Sequence, residues 1–573
     1  MKRPLHKILI TVTILLLGGS VAYTQNVDVE KVMNFKDKKW FKLNGGISIN
    51  GTYYDASEMH DRQPFTYHLN GNLNISILGL LDIPLSFNLN NFGTQYSYPS
   101  LPNRLSLHPS YKWIRAHIGD VSMVFSPYTL NGHMFTGGGI ELVPGKWSIA
   151  AMGGRLLREV AYDPGVPAIP PTYPRWGTGL KVRRDGGNYF AGVSFFTAKD
   201  RYKETSFYAD SLGIFPKSNV AVGLEGGATI FPDLRLSAEY AFSSLHGDTR
   251  PVLASDAGEQ VSRRGEAPTF YHAVKATLDY TFFKNTIGLG YERIDPGYET
   301  LGGYYFNNDY ENFTLNYARP LFNDKMSVAL SGGVQRDDLD GSKQDRNTRI
   351  VGSANVTYSP GERLNMSLSA STFQGYRVIK SQFDYINQTT PYENLDTLNF
   401  TQISQNLDFS LSWMIQQDKT LSQNIVFFAG YQEAADRQGR YILPGNLSRF
   451  INASAVYGLD LTPVNTNFTL GINVSNNYSN QRSFLTLGPT FAMNMKLFDS
   501  KALTGVSLSF NRSYDQSVPT ADVFNCRWNG TIQLFKSHSL QSSAIFQQQR
   551  RMKQIPVKKT RSFTGQLGYM YNF

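Results

Sequence analysis

The sequence offers few side-chain clusters that could support chemistry, and the strongest of them is acidic. The stretch Arg336-Asp337-Asp338-Leu339-Asp340-Gly341 places three carboxylates beside a glycine turn, which suits a hard cation such as Ca²⁺. The bidentate glutamate of a complete calcium loop is missing at the expected spacing. We therefore interpret residues 336–341 as a solvated loop and predict no metal and no other cofactor.

Two further segments could contact ligands, one through its aromatic rings and the other through a stiff backbone. The segment Tyr298–Phe313 carries the rings of Tyr304, Tyr305, Phe306 and Tyr310. These rings could stack on sugars, although self-packing or anchoring at a membrane interface explains them as well. The stretch 163–174 contains five prolines, which stiffen it. It suits a rigid loop that narrows a pore or meets a partner, or an ordinary protected loop.

Enzyme motifs are missing from the sequence. It has no glycine-rich phosphate loop, no zinc-type His-Glu helix and no nucleophile elbow, and its nine histidines are scattered. An enzymatic alternative needs an acid, a base and a nucleophile that meet only in space at a barrel rim. We predict that the chain is not an enzyme.

The first 22 residues have the layout of a secretory signal peptide. Three basic residues precede a ten-residue apolar run and small residues that end at Ala22. Cleavage after Ala22, or nearer Gln25, is expected to leave a short periplasmic segment over 23–40 and a single domain over 41–573. The one cysteine, Cys526, forms no internal disulfide.

After the leader, apolar and polar residues alternate with period two, which predicts strands with two different faces. The clearest examples are 65–77, 274–282, 407–415, 468–474 and 506–510. No stretch approaches the roughly 20 apolar residues of a membrane-spanning helix. A multi-domain secreted β protein would also alternate, but a polar face of Asn, Ser, Thr and Gly favours a large closed antiparallel transmembrane β-barrel, an all-β fold.

Connections of alternating length set the expected strand number. Short connections with turn residues are predicted at 79–82, 119–120, 144–145, 185–187, 232–233, 284–285, 323–324, 360–361, 418–419, 463–464, 499–500 and 536–537. Twelve periplasmic turns imply 26 strands, or 24 if Gly119-Asp120 lies inside one strand. The longer connections are expected outside the cell, at 159–174, 200–217, 244–269, 297–311, 337–347, 375–397 and 434–448.

The C-terminal segment resembles the targeting strand of Gram-negative outer-membrane barrels, which ends on Phe after alternate aromatic or apolar residues. The residues that carry the resemblance are Phe563, Leu567, Tyr569, Tyr571 and Phe573. The resemblance implies recognition by the barrel-assembly machinery and insertion into outer-membrane lipid. Aromatic side chains also suit the membrane interface.

A second resemblance is shorter. The segment His117–Phe125, with Leu130-Asn131-Gly132 and Gly137–Leu142 after it, resembles a Gly-Asp segment of large export barrels. These are the chaperone-usher pores and the type 9 secretion translocon of Bacteroidota. The usher's periplasmic and plug domains are missing, so the resemblance implies a large Bacteroidota-type barrel rather than usher function.

Charge favours a transport role over nucleic-acid binding. The formal net charge is +10 over 573 residues, with basic and acidic residues interspersed. Both signs occur on the polar face, at Arg235, Glu239, Lys275, Asp279 and Asp408, which predicts a polar lumen without strong ion selectivity. The sequence thus predicts an outer-membrane channel for polar solutes. The alternative is a plug or accessory subunit of a protein-export complex such as type 9 secretion, with other subunits as partners.

Overall fold

The computed structural model describes residues 40–57, 64–91, 104–161, 171–202, 213–250, 267–304, 307–342, 348–372, 375–378, 400–434, 437–438, 441–442, 447–479, 481–552 and 557–573. Apart from the 3₁₀ turn Thr462–Val464, the regular structure in these residues is β-strand. No helix in this part of the chain is long and apolar enough to cross a membrane. The predicted leader at 1–22 lies outside the described residues.

Thirty strands occupy the described residues. The first fifteen are β1 Phe41–Ala56, β2 Phe65–Ile77, β3 Leu81–Asn90, β4 Arg104–Leu107, β5 Ser110–Tyr111, β6 Ile114–Val124, β7 Asn131–Leu142, β8 Trp147–Leu157, β9 Arg175–Asp185, β10 Tyr189–Asp200, β11 Ser218–Phe231, β12 Leu234–His246, β13 Thr269–Phe282, β14 Asn285–Ile294 and β15 Tyr310–Leu321. The others are β16 Met326–Asp337, β17 Thr348–Gly361, β18 Leu364–Ser371, β19 Gly375–Val378, β20 Phe400–Gln417, β21 Leu421–Ala434, β22 Arg437–Gln438, β23 Tyr441–Ile442, β24 Ser448–Leu461, β25 Thr466–Ser479, β26 Arg482–Leu497, β27 Ala502–Asp515, β28 Val518–Phe535, β29 His538–Arg551 and β30 Lys558–Asn572.

The strands form one closed antiparallel barrel. All but the β22–β23 hairpin belong to a single sheet of 28 segments. Because β4 and β5 both lie between β3 and β6, and β18 and β19 both pair with β20, these segments make up 26 barrel strands. Pairing of β1 with β30, from Gly46 beside Asn572 to Ala56 beside Ser562, closes the barrel. The predicted fold class is confirmed.

The alternation in sequence becomes an outer and an inner face. On the outer face, one row of leucines crosses four neighbouring strands, β12 to β15: Leu236, Leu278, Leu289 and Leu315. Leu289 and Leu315 are each more than half exposed. On the inner face of the same strands, Glu239, Lys275 and Glu292 lie side by side. Period two therefore separates an apolar exterior from a polar interior.

Twelve short turns lie at one end of the barrel, which we name the turn end, together with the start of β1 and the end of β30. Eleven of the predicted turns fall at or within a residue or two of these positions. The prediction for Gly119-Asp120 is wrong, because both residues lie inside β6. The twelfth turn is Lys112-Trp113, in which Lys112 has a left-handed backbone with a φ of 51°. The strand number is therefore 26 even though that candidate turn was misplaced.

The opposite end, which we name the loop end, does not carry long connections throughout. Only residues 480–481 separate β25 from β26, and only Gln516-Ser517 separate β27 from β28. Gln516 and Ser517 both have positive φ, as a tight two-residue hairpin requires. The predicted alternation of short and long connections thus fails at these two hairpins.

Candidate functional site

The charged inner-face residues predicted from sequence are brought together on neighbouring strands. Arg235 of β12 lies beside Asp279 of β13, and Glu239 lies beside Lys275. Asp408 is on β20, far from this group along the sheet. Opposite charges directly across two strands attract each other. This part of the lumen is therefore polar with locally balanced charge.

The connection between β6 and β7, residues 125–130, folds into the lumen, and we name it inner loop A. The Ser126 hydroxyl donates a hydrogen bond to Glu239 of β12. The Tyr128 hydroxyl donates to Glu292 of β14 at 2.5 Å. Lys181 of β9 donates to the carbonyl of Phe125. Partners on strands this distant from β6 can be reached only across the interior.

The connection between β14 and β15 packs onto inner loop A in its described residues, 295–304 and 307–309, which we name inner loop B. The Tyr298 hydroxyl donates to the carbonyl of Tyr128 at 2.7 Å. The Thr300 hydroxyl donates to the carbonyl of Thr129 at 2.6 Å. The two backbones approach so closely that a Cβ at Gly302 would lie 2.4 Å from the Thr129 carbonyl oxygen. The two loops therefore behave as one packed unit.

An apolar core holds the two loops against the wall. Phe125 and Leu130 of inner loop A, with Leu301 of inner loop B, pack with Phe135 of β7 and Phe196 of β10. All five side chains are at most 2% exposed. Full burial of each such side chain contributes about 1.5–3 kcal/mol. This core explains why the loops fold inward rather than into solvent.

The tyrosines of the inner loops act as hydrogen-bond donors. Burial, with the neighbouring Glu292 carboxylate, raises the pKa of the Tyr128 phenol far above its ordinary value. Burial likewise raises the pKa of Tyr298, with a smaller contribution from Glu239. Both phenols thus keep their protons, as the hydrogen bonds to Glu292 and to the Tyr128 carbonyl require.

The wall on the opposite part of the barrel, from β24 through β30 to β1 and β2, is lined differently, and we name it the amide side. One inner row crosses seven strands from β26 to β2 and contains only uncharged residues: Asn494, Gly505, Asn529, Ser543, Gln566, Thr52 and Thr66. The hydrogen bonds of the inner loops given above lead instead to β9, β12 and β14. We name the wall from β6 to β14, with both inner loops, the plugged side.

The five residues predicted to guide membrane assembly lie together at the barrel closure. Phe563, Leu567, Tyr569 and Tyr571 are on the outer face of β30, and Phe563 and Leu567 are 43% and 58% exposed. The backbone of Phe573 exchanges hydrogen bonds with Gly45 of β1. Phe563, Leu567 and Tyr569 are thus exposed on the outside of the barrel.

The acidic segment at 336–341 forms local loop contacts. The Leu339 amide donates to Asp309 at 2.9 Å, and the Ser342 amide donates to Asp340 at 3.0 Å. Within the described ranges, no three His, Cys, Asp or Glu residues are grouped as a metal site would need. The segment is therefore a hydrogen-bonded turn beside inner loop B.

The aromatic segment at 298–313 packs against the protein's own interior. Tyr298 is fully buried, and the Tyr304 hydroxyl accepts a hydrogen bond from the Met134 amide at 2.8 Å. The Tyr304 ring lies 4.3 Å from the ring of His133. Tyr305 and Phe306, like most of the proline-rich stretch, fall outside the described residues. Self-packing is the interpretation that these contacts support.

The Gly-Asp segment closes an irregular part of the wall, where β4 and β5 are short. Gly119 has a φ of 100°, and a Cβ there would lie 2.0 Å from the Leu105 carbonyl oxygen. Asp120 accepts hydrogen bonds from the Leu105 amide at 3.1 Å and the Thr136 hydroxyl at 2.6 Å. The pair therefore joins β4, β6 and β7 where backbone pairing is interrupted.

Sequence reasoning missed inner loop A, and its prediction that the connection 297–311 extends away from the barrel is wrong, because Tyr298 and Thr300 pack onto inner loop A. Ser126, Tyr128 and Glu292 were not singled out, although they connect inner loop A to the wall. The available signal was the apolar character of a short connection, because Phe125, Tyr128 and Leu130 would be poorly placed in a solvated loop. A hydrophobic connection between two amphipathic strands indicates burial inside the barrel.

Comparison with known proteins gives distant structural likenesses only. No protein-family model matches the chain, and no curated protein does. The FrpB iron transporter from Neisseria meningitidis is 11% identical with a TM-score of 0.38, over 92% of this chain and 82% of that one. The P pilus usher (PapC) translocation pore is 9% identical with a TM-score of 0.35, over 93% and 99%. A Rh. blastica porin mutant is 9% identical with a TM-score of 0.27, over 56% and 99%. Likeness this distant carries no argument about what the chain binds or moves.

Proposed function

We propose that the chain spans the outer membrane of a Gram-negative bacterium and forms a channel for polar solutes along its amide side. The observation that carries this proposal is the separation of two faces in a closed barrel. Rows of exposed leucines cover the outside, and amides and hydroxyls line the inside. Such an outer surface would aggregate in water but suits lipid.

The size of the barrel supports passage beside the inner loops. A circle of 26 strands spaced ~4.8 Å apart and tilted by about 40° would be about 50 Å across. Inner loops A and B are short, with described residues 125–130, 295–304 and 307–309, and their hydrogen bonds fix them to the plugged side. The turn end, which also holds the start of β1 and the end of β30, then faces the periplasm. The loop end faces the outside of the cell.

Planar-bilayer recording tests this proposal. The purified protein is first checked for barrel folding by its heat-modifiable gel mobility, and single-channel current is then recorded. We expect stable conductance steps with weak preference between cations and anions, because the inner face carries both signs. A folded but electrically silent barrel contradicts the channel.

A second candidate is a plug or accessory subunit of a protein-export complex. It is favoured by the two inner loops, which obstruct part of the lumen, and by the Gly119-Asp120 segment at the irregular wall. This candidate predicts a folded, silent barrel that co-purifies with other envelope proteins after cross-linking in cells. Conductance of the isolated chain separates the two candidates.

A further inference from the structure

A cleft of about 610 Å³ lies on the amide side where the barrel closes, against the inner faces of β28, β29, β30, β1 and β2. Seven of its sixteen lining residues are Asn or Gln, and four are Ser or Thr. Each lining residue that the structure describes is uncharged. We name this feature the amide cleft.

The amide groups of the cleft are spread over neighbouring strands in a regular array. Asn50 of β1 lies beside Gly568 of β30, and its side-chain oxygen is 2.1 Å from where a Cβ of Gly568 would be. The side-chain oxygen of Asn572 is likewise 2.3 Å from where a Cβ of Gly46 would be. The two glycines thus make room for amide heads that lie flat on the wall. Strands ~4.8 Å apart and same-face residues about 6.6 Å apart set the spacing of these groups.

This chemistry selects neutral, hydroxyl-rich solutes. Each amide offers a carbonyl acceptor and an NH₂ group with two donors, and each sugar hydroxyl both donates and accepts. A charged solute would lose hydration there, and no residue that lines the cleft offers it an opposite charge. A peptide would need apolar or charged pockets for its side chains, whereas Met570 is the one apolar side chain on the inner face of the cleft.

The geometry points to a weak binding site for a short neutral oligosaccharide in the amide cleft, on the path through the lumen. This inference rests on the proposed channel function and names its substrate class. Binding by dispersed neutral hydrogen bonds is weak, as conduction requires, because a solute that binds tightly leaves slowly.

Two measurements with maltotriose test the site. In planar bilayers, maltotriose is expected to interrupt the wild-type current in a concentration-dependent way, while trigalacturonate, which is similar in size but charged, interrupts it at least tenfold more weakly. The double variant Asn72→Ala/Gln541→Ala should weaken the maltotriose block at least tenfold. Asn365→Ala, an inner-face amide on β18 outside the cleft, should leave it unchanged.

Equilibrium dialysis of labelled maltotriose against folded protein in detergent separates failure of the site from failure of the channel. Binding that the double variant abolishes, in a barrel that carries no current, would retain the site and reject the channel. Conductance without maltotriose block or binding, or block that the double variant leaves unchanged, overturns the site. Heat-modifiable mobility of every variant ensures that loss of binding is not loss of folding.

Discussion

Two walls of the same barrel, the plugged side and the amide side, differ in the residues that line their inner faces. On the plugged side, Glu225, Glu239, Lys275 and Glu292 form one inner row over β11 to β14. On the amide side, the inner row from Asn494 to Thr66 is uncharged. Partly buried charges are stabilised by fixed partners, and inner loop A supplies such partners to Glu239 and Glu292 through Ser126 and Tyr128. Neutral amides can hydrogen-bond to water or to each other. The amide side therefore needs no covering loop.

Alternation alone therefore does not determine whether a wall of the lumen is covered by a loop. Both walls alternate with period two, but among the described residues only the plugged side faces apolar loop residues such as Phe125 and Leu301. The two walls thus differ both in the residue types of these inner rows and in whether an inner loop packs against them. The predictions below test this contrast, beginning with the largest expected effect.

The joint between β4 and β6, at the edge of the plugged side, is expected to be the most sensitive point. Gly119→Ala combines a left-handed backbone with a Cβ 2.0 Å from a carbonyl oxygen. We expect the unfolding free energy to fall by about 3–5 kcal/mol, measured by urea titration in lipid vesicles. Gly332→Ala is the control, because a Cβ there meets nothing within 4 Å. Equal loss in both variants would contradict a special role for Gly119.

Neighbouring residues of β30 test which face meets lipid on the amide side. Leu567→Arg is expected to lower stability by about 2–4 kcal/mol, because it places a charge on the lipid face near mid-membrane. Gln566→Arg, one residue away on the inner face, should cost much less and change ion preference instead. Unfolding in vesicles measures the stability loss, and reversal potentials measure the ion preference. A larger stability loss for Gln566→Arg than for Leu567→Arg would contradict the assignment of inner and outer faces.

The inner loops should depend on their tyrosine hydroxyls. Tyr128→Phe removes one of the donors to the partly buried Glu292 carboxylate, which keeps its hydrogen bond with Tyr310. We expect a loss of about 1–3 kcal/mol, together with larger or noisier single-channel currents as inner loop A loosens. Unchanged stability and unchanged current would show that the loop is held without this contact.

A polar group on the amide side should matter little to stability. The side-chain oxygen of Asn452 on β24 has no hydrogen-bond partner within the described part of the chain. Asn452→Ala is therefore expected to change the unfolding free energy by less than about 0.5 kcal/mol. A loss as large as that of Tyr128→Phe would remove the contrast between the two sides.

The fold was predictable because strand alternation and turn residues are local signals. Turns with Gly, Pro, Asn or Asp were found, but Lys112-Trp113 was missed because neither residue type marks a turn. Gly119-Asp120 looked like a turn because Gly and Asp are common turn residues, but the positive φ of Gly119 instead allows a close approach to Leu105 inside the wall.

The site was predictable only in part. Arg235, Glu239, Lys275 and Asp279 were assigned to the inner face from their parity alone. The contact of inner loop A with Glu239 joins positions 113 residues apart, and its contact with inner loop B joins Thr129 to Thr300, 171 residues apart. Period-two patterns carry no information on contacts across a lumen, so the inner loops and the amide cleft required the structure.

Thiol labelling of the two walls tests most directly whether the path follows the amide side. In a Cys526→Ala background, single cysteines are placed at Asn529 on the amide side and at Ser194, where inner loop A contacts β10. A bulky charged thiol reagent is then added during bilayer recording. We predict that the current falls for the Asn529→Cys channel and stays unchanged for Ser194→Cys. Loss of current only at Ser194→Cys would place the path on the plugged side and contradict the account.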